Sequence, residues 1–183
     1  PRALEDKINL VTAFSGRSDA ADGTAFPYVL PLSINYWTQA GLIVDHFAKV
    51  AGGSLRGKKI VFVHIDTPFG KEPLPILQVL AQRQGFELLP FPYTPPGNDQ
   101  SAIWPQVRRA RPDFVMFWGA GVGQTVAMTE AIRNGLPMDR VSSSVWRNRI
   151  WTWSAARPRR ASSRWSPAPP AAIPSPSATS SPT

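Results

Sequence analysis

Two segments of the chain repeat one pattern. KKIVFVHIDTPFGKEPLPILQVLAQRQGF (58–86) and RPDFVMFWGAGVGQTVAMTEAIRNGLP (111–137) each begin with an apolar run, break at small or polar residues, and resume with apolar positions at helical spacing. That is strand, loop and helix, twice over. Lys58–Ile65 and Asp113–Trp118 are apolar at nearly every position, which fits strands covered on both faces in a parallel sheet. Ligands of such sheets sit where strands end and helices begin. The two breaks, Asp66 to Lys71 and Trp118 to Gln124, are therefore the candidate binding loops.

The flanking sequence extends the alternation. INLVTAF (8–14) and YVLPL (28–32) read as short strands, with Pro27 and Pro31 limiting the ladder bonds of the second. Asn35 to Ala51 reads as a helix with Asn35 as N-cap and Gly52-Gly53 as stop. Glu72–Gln84 is a helix closed by Gly85. Phe86–Tyr93 is a strand that Pro90 and Pro92 place near a sheet edge. Ala102–Ala110 is a helix that tolerates Pro105 only near its start. Val122–Asn134 is a helix ended by Gly135, and Arg140–Val145 a last strand. This order predicts a doubly wound, mainly parallel α/β sheet with right-handed crossovers.

Charge divides the chain. Its net charge is +8, but residues 1–146 hold 14 Lys and Arg against 12 Asp and Glu, while residues 147–183 hold six Arg and no acid. The body is nearly neutral and offers no electrostatic argument for nucleic acid. From 147 to 183 the sequence is built largely of Pro, Ser, Ala and Arg, and predicts a disordered tail. Three readings of it stand: out-of-register translation of GC-rich codons, a natural linker, or a basic arm for an acidic surface. Cysteine is absent, so there is neither a disulfide framework nor a thiolate metal site. No run approaches the roughly 18 apolar residues of a membrane span. Pro1 to Asp6 do not form a signal peptide, and the N-terminus reads as cut by processing or truncation.

The chemistry-bearing residues point to recognition and not to turnover. Asp66 and Thr67 can bond their own loop, Gly70 permits a tight bend, and Phe69 offers a flat apolar face. Helix N-terminal N–H groups in this loop favour an anion. WGAGVGQT (118–125) fits neither a dinucleotide fingerprint nor a P-loop. Its three glycines allow close approach of a ligand, an opposing lobe or a plain turn. No Gly-x-Ser-x-Gly is present, His64 reads as a satisfied core residue, His46 as an exposed one, and Asp66 has no evident nucleophile to activate. Arg108, Arg109 and Arg111 read as a favourable positive helix end. No catalytic residue, metal site or cofactor is expected.

FPYVLPLSINYWTQA, LRGKKIVFVHIDTPFGKEPLPILQVLAQRQGFELL, PPGNDQSAIWPQVRRARPDFVMFWGAGVGQTVAMTEAIRNGLP and SVW together resemble substrate-binding proteins of branched-chain amino-acid-type ABC importers. These are two-lobed periplasmic binding proteins of type I. The resemblance covers about residues 7–146 and implies a fold of two α/β lobes with the ligand between them. It assigns 1–31 to a remnant of the first lobe, 32–146 to an incomplete second lobe, and leaves 147–183 as tail. It places Ala13 and Ser15 at the strand end that holds a ligand carboxylate, and Phe69 as the aromatic that covers the ligand. Ala120 and Gly121 fall where amino-acid binders often carry an aromatic, and Trp146 near an acid for the ligand ammonium. Small residues at 120–121 and Trp at 146 suit a larger, flatter or aromatic ligand.

The resemblance implies a small-molecule ligand, a membrane permease as partner, a periplasmic location and a monomer, with no nucleic-acid role. It also implies exposed apolar surface where missing parts of the fold would pack. The other readings are the ligand-sensing domain of a regulator with the same fold, and a non-functional gene fragment.

Overall fold

The computed structural model describes residues 2–12 and 16–144. Ala13, Ser15, Trp146 and the 147–183 tail lie outside the described residues. The elements are α1 (Arg2–Asp6), β1 (Leu10–Thr12), β2 (Val29–Pro31), α2 (Tyr36–Val50), β3 (Lys59–Ile65), α3 (Pro68–Lys71), α4 (Leu74–Gln84), β4 (Glu87–Tyr93), α5 (Trp104–Ala110), β5 (Phe114–Trp118), α6 (Val122–Arg133) and β6 (Val141–Ser143). Two 3-10 turns, Asp19–Ala21 and Met138–Arg140, precede β2 and β6.

The four later strands form one wholly parallel sheet in the order β4-β3-β5-β6. Its two central strands are covered on both faces, which is why their sequences are apolar throughout. Ile60, Phe62, Phe114, Met116 and Trp118 point to one face and pack with Ala40, Val44 and Phe47 of α2 and Leu77 of α4. Val61, Val63, Val115 and Phe117 point to the other and pack with Trp104 and Val107 of α5 and Ala127 and Ala131 of α6. The result is the three-layered α/β arrangement expected from the alternation.

Local signals explain where elements start and stop. The Asn35 side chain accepts from the Thr38 N–H at 2.8 Å and caps α2. Gly85 closes α4 with φ of 74°, a left-handed turn. Pro105 falls in the first turn of α5, where its missing N–H costs nothing. One boundary differs from expectation. The helix read as starting at Glu72 begins at Leu74, and the segment read as a loop before it contains the short helix α3, which Pro73 and Pro75 keep from running on into α4.

β4 is an edge strand, as its prolines predict. The Glu87 N–H donates to the Lys58 carbonyl and the Tyr93 carbonyl accepts from the Asp66 N–H, both at 2.8 Å. Odd-numbered positions of β4 therefore face β3, and Pro90 and Pro92 stand at positions whose amides would point outward.

The first two strands do not join this sheet. β1 and β2 form a separate parallel pair, Leu10 opposite Val29 and Thr12 opposite Pro31. Ile8, Leu10, Val11, Leu30 and Leu32 around it are exposed, Leu32 at 71%. Parallel strands are ordinarily buried on both sides.

Candidate functional site at the ends of β3 and β5

The order of the sheet marks one crevice. The chain leaves β3 through α4 on one face and reaches β4, then crosses back through α5 on the other face to β5. The connections after β3 and β5 thus diverge to opposite faces from neighbouring strands. Such a switch point opens a crevice at the carboxyl ends of those strands. Both candidate loops lie there.

The loop after β3 is tightly built. Thr67 Oγ1 accepts from the Gly70 N–H at 3.3 Å and caps α3. The Lys71 N–H donates to the Thr67 carbonyl at 3.0 Å. Two of the amides expected to favour an anion here, those of Gly70 and Lys71, are thus engaged by Thr67. Asp66 Oδ1 pairs with Lys71 Nζ at 2.6 Å. That hydrogen bond and the ammonium charge hold the Asp66 carboxyl below its ordinary range, which makes it a poor base.

Phe69 stands half-buried on an aromatic cluster. Its ring meets Tyr36 edge-on at 5.2 Å and lies 6.2 Å from Trp118. Tyr36 and Trp118 are 5.8 Å apart at 88°. The Trp118 indole N–H is buried and has no partner. His64 stacks on Phe62 at 5.0 Å, and its Nδ1 lies 3.1 Å from the Ile65 carbonyl. Burial pushes the His64 pKa down, so the ring is neutral, as a core histidine should be. His46 is exposed on α2.

In the loop after β5 the glycines divide into two kinds. A Cβ on Gly119 would stand 2.0 Å from the Tyr93 hydroxyl, and one on Gly123 3.0 Å from it. A Cβ on Gly97 would lie 2.6 Å from the Tyr93 ring. These three make room for Tyr93, not for a ligand. Gly121 is different: φ is 63° and nothing lies within 4 Å of its would-be Cβ. It opens α6 without any side-chain cap. Ala120 is half-buried beside it. Phe69 lies on the loop that leaves the carboxyl end of β3, and Ala120 and Gly121 on the loop that leaves the carboxyl end of β5.

Tyr93 carries no local signal of this role, because its partners lie in other segments. It stacks on Phe117 at 5.6 Å and 10°. Its hydroxyl is buried without a partner, and burial pushes its pKa from 10.0 up to about 12. A folded-state value above the unfolded one favours folding fully below the unfolded pKa and loses that contribution as pH rises through the folded pKa. A rise of that size corresponds to about 3 kcal/mol. Urea midpoints are expected to fall between about pH 10 and pH 12, and to fall less in Tyr93→Phe. Equal losses in both proteins would assign the alkaline transition to other groups.

Among the described residues no cluster of three or more His, Cys, Asp or Glu could hold a metal ion. No helix among them is long and apolar enough to cross a membrane.

The comparisons agree with the topology. No curated protein matches the chain. A crystal structure described as an ABC transporter permease from the Pseudomonas fluorescens group superposes with TM-score 0.75 and 41% identity, over 79% of this chain and 35% of that one. A branched-chain amino acid ABC transporter protein from Thermus thermophilus with bound valine gives TM-score 0.65 and 18% identity, over 78% of this chain and 36% of that one. A solute binding protein of an ABC transporter from Rhodopseudomonas palustris BisB5, in complex with 3,4-dihydroxy benzoic acid, gives TM-score 0.59 and 18% identity, over 78% of this chain and 38% of that one. The chain spans little more than a third of the length of these structures. The family described as "Periplasmic binding protein" matches residues 1–172, past Trp146 where the residue-by-residue resemblance stops. The type I α/β lobe, its switch-point crevice and this match together show that the chain belongs to the periplasmic binding protein family.

Proposed function

We propose that this chain supplies the second-lobe side of a solute-binding cleft that serves an ABC importer in the periplasm. The observation that supports the reading is the switch point between β3 and β5, where the loops that carry Phe69 and Ala120–Gly121 begin. The protein recognises a small organic carboxylate and passes it, as a monomer, to a membrane permease. Phe69 gives the ligand an aromatic face backed by Tyr36. The uncapped first turn of α6 offers N–H groups to an anionic oxygen. Small residues at 120 and 121 leave space for a flat ring. Ala13, Ser15 and Trp146 complete the assignment through the family resemblance. Among the described residues of the two loops no nucleophile is paired with a base, which fits binding without chemistry.

Calorimetric titration with valine, leucine and 3,4-dihydroxybenzoate tests it. Binding of at least one carboxylate is expected, with Phe69→Ala weakening it by about 1–3 kcal/mol, the value of a buried aromatic face. Unchanged affinity in Phe69→Ala would take Phe69 out of the site. No binding by any of the three would sink the carboxylate reading.

A further inference from the structure

Three segments meet in a closed triangle of hydrogen bonds next to the Phe69 turn. The Ser18 N–H donates to Glu72 Oε1 at 2.7 Å, the Trp37 N–H donates to Ser18 Oγ at 3.2 Å, and the Trp37 indole donates to the Glu72 carbonyl at 3.0 Å. Ser18 lies in the segment that leads out of β1, Trp37 in the first turn of α2, and Glu72 just after α3. Their immediate neighbours build the aromatic wall. The Tyr36 N–H donates to the Gly16 carbonyl at 2.6 Å, and Phe69, three residues before Glu72, packs on the Tyr36 ring.

No element of regular structure requires the Glu72 carboxylate to be where it is. The neighbouring cation, Lys71, is paired with Asp66, and Arg17, paired with Asp19, adds only a charge attraction to Glu72. The carboxylate is instead committed to a backbone N–H 54 residues away in sequence. A charged acceptor makes such a bond stronger than a neutral one.

We propose that Glu72 is a positioning residue, whose carboxylate fixes the Phe69 turn to the segment 16–18 so that the two move as one body. Its consequence for ligand binding rests on the function proposed above. The latch itself does not, and its test needs no ligand.

Amide exchange followed by NMR reads the bond directly. In Glu72→Ala the Ser18 N–H and the Gly70 and Lys71 N–H groups are expected to exchange about tenfold faster, while Val61 and Val63 in β3 keep their protection. Glu72→Gln, which retains an acceptor oxygen, is expected to restore all three. Wild-type exchange at Ser18 in Glu72→Ala would overturn the proposal. So would faster exchange at Ser18 with Gly70 and Lys71 unchanged, because the two segments would then be independent. Should Glu72→Ala unfold the sheet, Ser18→Pro reads the same bond from its donor side. Ser18 has φ of −72°, which proline adopts, and the substitution removes the N–H that Glu72 accepts together with the hydroxyl that accepts from Trp37, so Ser18→Ala, which removes the hydroxyl alone, is compared with it. Faster exchange at Gly70 and Lys71 in Ser18→Pro than in Ser18→Ala supports the latch, and equal exchange in the two overturns it. Failure of the wild-type protein to bind any carboxylate would count against the proposed function and leave these exchange results standing.

Discussion

Gly70→Ala is expected to destabilise the fold by about 3–4 kcal/mol, near the upper end for overpacking. A Cβ at this position would sit 1.8 Å from the Ile65 carbonyl oxygen and 2.8 Å from its carbon. Both are backbone atoms, so no side chain can swing aside. The same oxygen accepts from the Thr67 N–H at 2.8 Å and lies 3.1 Å from His64 Nδ1. Relieving the clash therefore loosens two further bonds at the end of β3. It also lifts α3, and with it Phe69, away from Tyr36. Urea denaturation measures the stability loss, and near-ultraviolet circular dichroism the loosened aromatic cluster. Gly41→Ala is the matched control. Its would-be Cβ meets nothing within 4 Å and it lies inside α2, so alanine should be neutral or stabilise by up to about 1 kcal/mol. Equal stabilities for the two variants would show that the turn after β3 is not as closely packed as described.

Gly119→Ala is expected to cost about 2–3 kcal/mol, and Tyr93→Phe to recover part of that loss. The new methyl would meet the Tyr93 hydroxyl at 2.0 Å and the Phe117 ring at 2.8 Å. Removing the hydroxyl clears the first clash and leaves the second. In the wild-type background the same Tyr93→Phe change deletes a buried oxygen with no partner, so it should be neutral or mildly stabilising at neutral pH. A double-mutant cycle by chemical denaturation gives the coupling. Strictly additive effects would separate Gly119 from Tyr93 and return the glycine to the ligand side of the crevice.

How far the sequence reveals this molecule depends on the range of each interaction. β3, β5, α2 and α6 were legible because apolar spacing within a dozen residues reports burial, and Asn35 and Gly135 mark the start of α2 and the end of α6. The edge position of β4 followed from two prolines. The short helix α3 was missed because its four residues, Pro68 to Lys71, are too few to show helical spacing and read as a loop. The two strand-end loops were legible, since each lies where an apolar run stops. Their construction was not. The glycine-rich loop looks open to a ligand in sequence, yet Gly119 and Gly123 are filled by a tyrosine from a strand that is not even adjacent to β5. The bond from Glu72 to Ser18 has no signature either, as nothing local tells a carboxylate which distant amide it will meet. Spacing does not report the pairing that separates β1 and β2 from the main sheet, and only the resemblance, which assigns 1–31 to another lobe, bears on it.

The prolines of β4 have an effect beyond that strand. An outer strand with a full row of amide donors invites another polypeptide to extend the ladder, and a row of such additions is how fibrils grow. Here two successive outward donors are missing from the covalent structure at Pro90 and Pro92. This protection needs no charge, so neither salt nor acid can switch it off. In the periplasmic location proposed above, where ionic conditions follow the surroundings, this margin of the sheet would stay inert in all of them.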